Sequence, residues 1–142
     1  MKPILQVEDE ENDVMFFKLA AEKAGMQRDI QVATDGQEAI DYLMGHGKFA
    51  DREAYPLPCL VLLDLRLPQM PGLDVLKFIR SQPQFNSIVV IVFTSSDQDS
   101  DVKAAYQHCA NSYLVKPANH HDLVELVSQI RSYWLRLNRF PG

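Results

Sequence analysis

Short apolar runs alternate along this chain with longer stretches in which apolar residues recur at helical spacing. The runs cover residues 4–7, 30–33, 59–63, 88–93 and 112–115. A continuous apolar run of this length, bounded by polar residues, is typical of a buried β-strand. The pattern therefore predicts five strands.

Between the runs, apolar residues three and four positions apart predict five helices, because residues at that spacing share one helix face. The stripes are Val14, Phe17, Ala21 and Ala24; Ala39, Ile40, Leu43 and Met44; Leu73, Leu76 and Ile79; Val102, Ala105, Tyr106 and Cys109; and Leu123, Val127, Ile130 and Trp134. Asp35 followed by Glu38 resembles a capping box and predicts the start of the second helix.

Strands that alternate with helices imply right-handed βαβ crossovers and a parallel sheet covered by helices on both faces. The third and fourth strands are apolar throughout, as strands buried on both faces are. The predicted class is a doubly wound α/β fold, in one domain of 142 residues. One connection, residues 45–58, is long enough to indicate a functional or mobile loop.

The composition is that of an ordinary globular domain, with 46% hydrophobic residues, 23% charged residues and a formal net charge of -5. The acidic balance argues against direct nucleic-acid binding. No apolar run approaches the roughly 20 residues that span a bilayer, and no secretory leader is visible, so we expect a cytoplasmic protein. Cys59 and Cys109 lack disulfide or zinc spacing, and we expect both to be small core residues.

Polar residues with chemical potential follow four of the predicted strands. They are Glu8, Asp9 and Glu10 after the first, Asp64 after the third, Thr94, Ser95 and Ser96 after the fourth, and Lys116 with Pro117 after the fifth. In an open parallel sheet the functional crevice lies at the carboxyl ends of the strands. These carboxylates, hydroxyls and ammonium group are therefore predicted to meet at one edge.

Carboxylates that converge on a small volume repel one another by about 4 kcal/mol per pair, at a separation of about 4 Å and an effective dielectric constant of about 20. A hard divalent cation relieves this repulsion. Mg²⁺ binds through one or two carboxylates and waters, which suits Asp9 and Asp64 as direct ligands and Glu8 as a residue that holds waters. Because a carboxylate also acts as a covalent nucleophile, Asp64 is the candidate for an aspartyl phosphate.

Other polar residues near the strand ends have simpler interpretations. Glu10, Glu11 and Asp13 are expected to be solvated residues at a helix start. His120 and His121 are expected to be exposed helix-start residues rather than metal ligands, because no third ligand of matching spacing appears.

The succession Glu8-Asp9, Asp64-Leu65-Arg66-Leu67-Pro68 with Gly72, Thr94-Ser95 and Lys116-Pro117 resembles the CheY-like receiver domain of two-component response regulators. The resemblance covers nearly the whole chain, with a core at about residues 3–137 and a tail at 138–142. It implies a flavodoxin-like (βα)5 sheet in order 2-1-3-4-5 and a phosphorylation switch rather than an enzyme. It also implies phosphorylation of Asp64 by a histidine kinase, and Mg²⁺ bound by Asp9, Asp64 and the main-chain carbonyl of Arg66.

The same resemblance implies roles for further residues. Lys116 pairs with the phosphoryl oxygens, and Thr94 donates its hydroxyl to them. Tyr113 occupies the aromatic switch position, and its ring moves inward when Thr94 is drawn to the phosphoryl group. The peptide bond before Pro117 is cis. The positions of Arg66 and Ser95 tune the lifetime of the phosphoryl group and access to it.

A narrower resemblance is to the Rcp-type regulators that partner bacterial phytochromes, which implies a phytochrome-linked histidine kinase. No second domain follows the fifth helix, so the output is expected to be contact with a downstream protein. We expect Trp134 and Leu137 to continue the core stripe of that helix, and Tyr133, Leu135 and Phe140 to lie outside it. These residues together present more apolar surface than one helix stripe can bury, which predicts a homodimer. Its candidate interface residues are Tyr106, Tyr113, Tyr133, Trp134, Leu137 and Phe140.

Three other functions remain as rivals. A phosphatase that works through an aspartyl phosphate usually carries a second acid two residues after the nucleophile, where this chain has Arg66. A flavin-binding module would need a phosphate loop after the first strand, where this chain has acidic residues that repel phosphate. A receiver-like scaffold that is never phosphorylated is disfavoured by the complete set of acceptor, acids and lysine.

Overall fold

The computed structural model describes residues 1–141 as a five-stranded parallel sheet with helices on both faces. The strands are β1 (Ile4–Val7), β2 (Ile30–Ala33), β3 (Leu60–Leu63), β4 (Val89–Thr94) and β5 (Ser112–Val115). Their order is β2-β1-β3-β4-β5. The predicted fold class and strand order are confirmed, and every predicted strand agrees with the structure to within one residue at each end.

Five α-helices connect and follow the strands. They are α1 (Glu11–Lys23), α2 (Gly36–Met44), α3 (Gly72–Ser81), α4 (Asp99–Gln107) and α5 (His120–Ile130). Two short 3-10 turns lie at Gly47–Ala50 and Pro83–Phe85, and a π-helical segment, Arg131–Leu137, continues α5. Among residues 1–141, none of these helices is long and apolar enough to cross a membrane.

The sheet separates two hydrophobic cores. Leu5 and Val7 of β1 face the side covered by α2, α3 and α4, whereas Ile4 faces the side covered by α1 and α5. Every residue of β3 and β4 is buried. Burial on both faces explains why these two strands are apolar throughout.

The start of α2 follows the predicted cap. The side chain of Asp35 accepts a hydrogen bond from the main-chain N–H of Glu38 at 2.7 Å. The carboxylate of Glu38 accepts one from the N–H of Thr34 at 3.3 Å, one residue earlier than in a standard capping box. Two donors at the helix start are thereby satisfied.

The long connection at residues 45–58 packs against α2. The guanidinium of Arg52 donates to the main-chain carbonyls of Tyr42 at 2.8 Å and Leu43 at 2.7 Å, which are orphan acceptors at the helix end. The hydroxyl of Tyr42 donates to the carbonyl of Pro56 at 2.7 Å, and its ring packs against Phe49 and Tyr55. These contacts hold the loop against the end of α2.

Only one of the two cysteines is a core residue. Cys59 is buried, as expected, but Cys109 is exposed. Because α4 ends at Gln107, the chain leaves the helix before Cys109, which adopts a left-handed backbone with φ of 68°. The next residue, Ala110, is buried in its place.

The C-terminal helix departs from the predicted phase. Leu137 is 64% exposed, whereas Leu135 and Phe140 pack against the core beside Trp134. The prediction for Leu137 and Leu135 was wrong because it assumed 3.6 residues per turn throughout, and that for Phe140 was wrong because the chain leaves the helix at Asn138 in an extended conformation. In the π-helical segment each turn contains more residues, so the apolar stripe rotates after Ile130. Of the predicted tail at 138–142, Gly142 lies outside the described residues.

Candidate functional site

Strand register brings the polar strand ends together. Val7 is paired with Leu63, and Leu63 with Val92, so the residues that follow β1 and β3 lie beside the end of β4. Thr94 pairs with Val115 in the last two strands. One edge of the sheet therefore carries residues from four strands, as the sequence predicts.

Lys116 lies at the centre of this edge, and its side chain is 13% exposed. Its Nζ donates to Glu8 Oε1 at 2.5 Å, to Asp13 Oδ2 at 2.8 Å and to Asp64 Oδ2 at 2.8 Å. An ammonium group has three protons to donate, so all three are used. Lys116 thus links β1, α1 and β3 to the end of β5.

Both oxygens of the Asp64 carboxylate are engaged. Oδ2 accepts from Lys116, while Oδ1 accepts from the hydroxyl of Thr94 at 2.8 Å and from the N–H of Arg66 at 3.0 Å. Thr94 and Asp64 are both buried. The carboxylate is therefore held between a hydroxyl and an ammonium group.

Gly72 permits a close approach of α3 to the loop after β3. Its N–H donates to the carbonyl of Leu65 at 2.9 Å. A Cβ at this position would lie 2.0 Å from the carbonyl oxygen of Asp64 and 2.7 Å from the Cα of Leu65. Only glycine fits there without a shift of the backbone that carries the acceptor.

The ionisation of this cluster follows from burial and from the shared ammonium. Burial alone would raise the pKa of the Asp64 carboxyl, but hydrogen bonds from Lys116, Arg66 and Thr94 outweigh it and hold that pKa below its usual value. Burial, with the nearby Asp64 charge, raises the pKa of Glu8 to about 7 even though Lys116 opposes the shift. Burial favours the neutral form of Lys116, yet the hydrogen bonds that it donates to Asp13, Asp64 and Glu8 raise its pKa.

The site contains donors that suit a hard divalent cation. Glu8, Asp9 and Asp64 each offer a carboxylate oxygen, and these oxygens lie within 4.8 Å of one another. Counting Asp13, the cluster contains four carboxylates and one ammonium group, which bonds three of them, so it has excess negative charge. All-oxygen ligands and excess negative charge are what Mg²⁺ and similar ions require. The residues present therefore fit such an ion.

Asp13 is the site residue that sequence reasoning missed. It was interpreted as a solvated helix-start residue together with Glu10 and Glu11, which are exposed. The structure instead pairs it with Lys116, because the first turn of α1 lies over the ends of β1 and β5. A signal was available, since α1 begins directly after β1 and its first turn must lie at the edge that holds Glu8 and Asp9.

Comparison with known proteins identifies the family that this geometry indicates. The family model of the response regulator receiver domain matches residues 4–128. The chain belongs to the response-regulator receiver family. Receiver domains are generally switches rather than enzymes, and they bind Mg²⁺ or Mn²⁺ at their acidic site.

Relatives match this receiver over almost its full length. The probable methanogenesis regulatory protein FilR2 of Methanothrix harundinacea is 41% identical, covering 98% of this chain and 87% of the relative. Response regulator Rcp1 of Synechocystis sp. is 35% identical, covering 99% and 94%, and its Mn²⁺-bound crystal structure superposes with a TM-score of 0.89, 34% identity and complete coverage of both chains. The phosphorylated cyanobacterial phytochrome response regulator RcpA superposes with a TM-score of 0.91 and 33% identity over 99% of both chains. This receiver is thus related to phytochrome response regulators.

Tyr113 is tied to the loop that follows Thr94. Its hydroxyl donates to the carbonyl of Ser96 at 2.9 Å, and its ring packs partly against the core. The buried Ser96 hydroxyl in turn donates to Asp101 at the start of α4. A displacement of the Thr94 loop therefore reaches both β5 and α4. Ser95 next to it is exposed.

The expected cis bond before Pro117 is not present. Residues 1–141 contain no cis peptide bond, so the Lys116–Pro117 bond is trans. The trans isomer is intrinsically favoured by about 0.5–1 kcal/mol before proline, and Lys116 reaches its three partners with this isomer.

The other predicted residues lie away from the acidic site. Tyr106, Tyr133 and Leu137 are exposed, whereas Trp134 and Phe140 are half-buried. His120 and His121 are exposed at the start of α5, which agrees with the sequence interpretation. Contrary to that interpretation, possible partners for one histidine do exist on the helix surface: ligand atoms of His121, Asp122 and Glu125 lie within 4.8 Å of one another.

Proposed function

We propose that this receiver is a phosphorylation switch in which Asp64 accepts a phosphoryl group from the phosphohistidine of a histidine kinase. The observation that carries the proposal is the setting of the Asp64 carboxylate, which lies between the hydroxyl of Thr94 and the ammonium of Lys116. Because its pKa is held below the usual value, Asp64 is ionised and nucleophilic at neutral pH.

In the transfer step, an oxygen of Asp64 attacks phosphorus while the P–N bond of the kinase phosphohistidine breaks. The electron pair of that bond leaves with the imidazole. Lys116 and Thr94 already lie at hydrogen-bond distance from the two carboxylate oxygens, so they are positioned to donate to the new phosphoryl oxygens. Donors that are already in place stabilise charge as it develops on the transferred group.

Mg²⁺ is the proposed cofactor. Glu8, Asp9 and Asp64 supply the acidic donors, and the main-chain carbonyl of Arg66 is the proposed neutral ligand. The bound ion neutralises charge shared by the carboxylates and the phosphoryl group. The Mn²⁺-bound form of the relative Rcp1 supports a divalent ion here.

The proposed output is a shift of the Thr94 loop and Tyr113 that changes the surface of α4, β5 and α5. Moving a two-state equilibrium from 1:99 to 99:1 requires about 5.5 kcal/mol. Thr94 and Lys116 already donate to Asp64 in this structure, so donation to the phosphoryl oxygens drives the shift only by the amount by which it exceeds these existing bonds. The phosphoryl group brings about -1.5 to -2 of charge, which strengthens both hydrogen bonds. Arg66, whose side chain is exposed, and Ser95 remain the proposed positions that tune phosphoryl lifetime.

We infer a phytochrome-linked histidine kinase as the phosphoryl donor and a downstream protein as the receiver of the signal. The likeness to the phytochrome response regulator RcpA supports this partner. We also propose that the regulator is cytoplasmic and binds neither nucleic acid nor membrane. Phosphotransfer from a panel of histidine kinases, with phytochrome-linked members included, tests the partner; transfer only from unrelated kinases would refute it.

Incubation with acetyl phosphate and Mg²⁺, followed by intact-mass measurement, tests the acceptor. The native chain is expected to gain one phosphoryl group, and Asp64→Asn none. The exposed Asp74 on α3 offers a matched control, since Asp74→Asn removes a carboxylate without touching the site. An unchanged mass of the native chain, or equal labelling of Asp64→Asn, would refute the proposal.

A homodimer through α4, β5, α5 and the π-helical segment is a separate proposal. Tyr106, Val115, Tyr133 and Leu137 leave exposed apolar surface on these elements. Light scattering, with and without a beryllofluoride phosphate mimic, is expected to give twice the chain mass of 16.2 kDa. Leu137→Glu is expected to give the monomer, and Leu19→Glu, on the exposed face of α1, is the matched control. A monomer mass for the native chain under both conditions would refute the dimer.

A further inference from the structure

The three carboxylates that bind Lys116 are not equivalent. The side chains of Glu8 and Asp64 are 2% and 6% exposed, and both belong to the group of oxygens that suits a divalent cation. The side chain of Asp13 is 38% exposed and is not part of that group. Its one hydrogen-bonded contact with a charged side chain, within residues 1–141, is Lys116.

Lys116 and a divalent cation compete for the same oxygens. Glu8 Oε1 and Asp64 Oδ2 each accept a proton from Nζ, and both residues are candidate cation ligands. When these oxygens turn to a cation, two of the three hydrogen bonds of Lys116 weaken, and like charges repel the ammonium. The bond to Asp13 is the one that remains available without this competition.

We propose that Asp13 is a positioning residue that holds Lys116 beside Asp64 when Glu8 and Asp64 bind a divalent cation, and that it thereby raises the Mg²⁺ affinity of the site. The inference rests on the proposed function in taking Glu8, Asp9 and Asp64 as the cation ligands. Asp13 is suited to this role because it is anchored on the first turn of α1 and is partly solvated. Its side chain is less buried than those of Glu8 and Asp64.

Calorimetric titration of the full chain with Mg²⁺ alone tests the inference. Asp13→Asn keeps the size of the side chain and removes its charge, so the ammonium loses its remaining partner when the cation binds. We expect Mg²⁺ binding about three- to fivefold weaker, the scale of a partly exposed ion pair. Glu11→Gln is the matched control, because it removes the same charge from the same helix turn at an exposed residue. A circular dichroism spectrum verifies that both variants fold.

A double-mutant cycle with Lys116→Met separates a positioning role from loss of charge. If Asp13 acts through Lys116, Asp13→Asn weakens Mg²⁺ binding when Lys116 is present. In the Lys116→Met background, Asp13→Asn weakens Mg²⁺ binding no more than Glu11→Gln does. Asp13→Glu, which restores the charge, is expected to recover most of the affinity.

The outcomes distinguish this inference from the proposed function. Normal labelling of Asp64 together with equal Mg²⁺ affinities of Asp13→Asn and Glu11→Gln would overturn the inference alone. An equal effect of Asp13→Asn with and without Lys116 would also overturn it. Failure of the native chain to bind Mg²⁺ or to be labelled at Asp64 would overturn the proposed function as well.

Discussion

Two cationic side chains at opposite ends of the sheet each bind three acceptors from different parts of the chain. Lys116, at the carboxyl ends of the strands, binds Glu8, Asp13 and Asp64. Arg80, in the last turn of α3, lies at the amino ends of β4 and β5. It donates to three oxygens at 2.8–2.9 Å: the carbonyls of Ile88 and Cys109 and the side chain of Asn111.

The two clusters differ in the charge of their acceptors. Every acceptor of Lys116 is a carboxylate, so one positive charge faces several negative ones. Every acceptor of Arg80 is neutral, and the planar guanidinium fits all three at once. Burial lowers the pKa of Arg80, and the nearby Cys109 opposes this only in part, whereas hydrogen bonds to carboxylates raise the pKa of Lys116.

Because of this difference, the hydrogen bonds of the Lys116 cluster can be exchanged, whereas those of the Arg80 cluster are fixed. Excess negative charge around Lys116 makes the cluster receptive to a second cation, and its hydrogen bonds can be redistributed. The Arg80 cluster gains nothing from an added ion, because its neutral acceptors are already paired. The carboxyl end of the sheet is therefore suited to switching, and the amino end to structural stability.

The largest expected effect is that of Lys116→Met. Removing the ammonium leaves Glu8 and Asp64 buried beside each other without a counter-charge, which is expected to lower the free energy of unfolding by about 3 kcal/mol. Mg²⁺ is expected to restore much of this loss, because it binds the folded site. Urea unfolding with and without Mg²⁺ measures both; an unchanged midpoint without Mg²⁺ would contradict the prediction.

Arg80→Met is expected to have a smaller effect of a different kind. Three neutral acceptors lose a donor, but water reaches the two that are exposed, so the expected loss in free energy of unfolding is about 1–2 kcal/mol. The loss should be equal with and without Mg²⁺, and Asp64 should be labelled normally. A Mg²⁺-dependent loss would show that the two ends of the sheet are not independent.

The affinity for Mg²⁺ is expected to fall as the pH is lowered through the pKa of Glu8, about 7. Below that pH the folded protein binds a proton at Glu8 that cation binding must release, so protons compete with Mg²⁺. Between about pH 8 and pH 6 we expect about a tenfold loss of affinity. Calorimetric titration at each pH measures it, and Glu8→Gln is expected to flatten the dependence. A pH-independent affinity of the native chain would refute this assignment.

The smallest expected effect is that of Asp9→Asn. Within residues 1–141 Asp9 makes no ion pair with Lys116, so in the absence of a cation it adds only repulsion. Its removal is expected to stabilise the cation-free protein by about 1 kcal/mol and to weaken stabilisation by Mg²⁺. Thermal unfolding in the presence of a chelator and of Mg²⁺ measures the two effects. A loss of stability in chelator would contradict the assumed excess of negative charge.

Most of the site was predictable because it is built from strand ends. Asp64 and Thr94 follow or end apolar runs, and parallel strands deliver such residues to one edge whatever the details of packing. The sequence could place Asp13 near this edge, because α1 begins directly after β1, but it could not predict the partner of Asp13. Its contact with Lys116 depends on the position of a helix over the sheet, and two residues 103 positions apart in sequence carry no local signal of their pairing.

Errors elsewhere arose where the local backbone departed from regular geometry. Cys109 continues the spacing of its stripe, but α4 ends two residues earlier and a left-handed backbone turns the chain. Leu137 fits a period of 3.6 residues, but the backbone after Ile130 is π-helical. In both cases a correct periodicity was extended past the residue at which it ceased to apply.

The amino-acid sequence by itself determined the strands, the fold class and the set of groups at the functional edge. Apolar runs and regularly spaced apolar residues are local features of the sequence, and each apolar residue favours a buried position by itself. Only the tertiary structure decided how one ammonium group is shared among Glu8, Asp13 and Asp64, and which apolar residues of the C-terminal segment remain exposed. Those outcomes depend on distances of a few ångströms between elements that are remote in the chain, and such distances are set by packing of the whole domain.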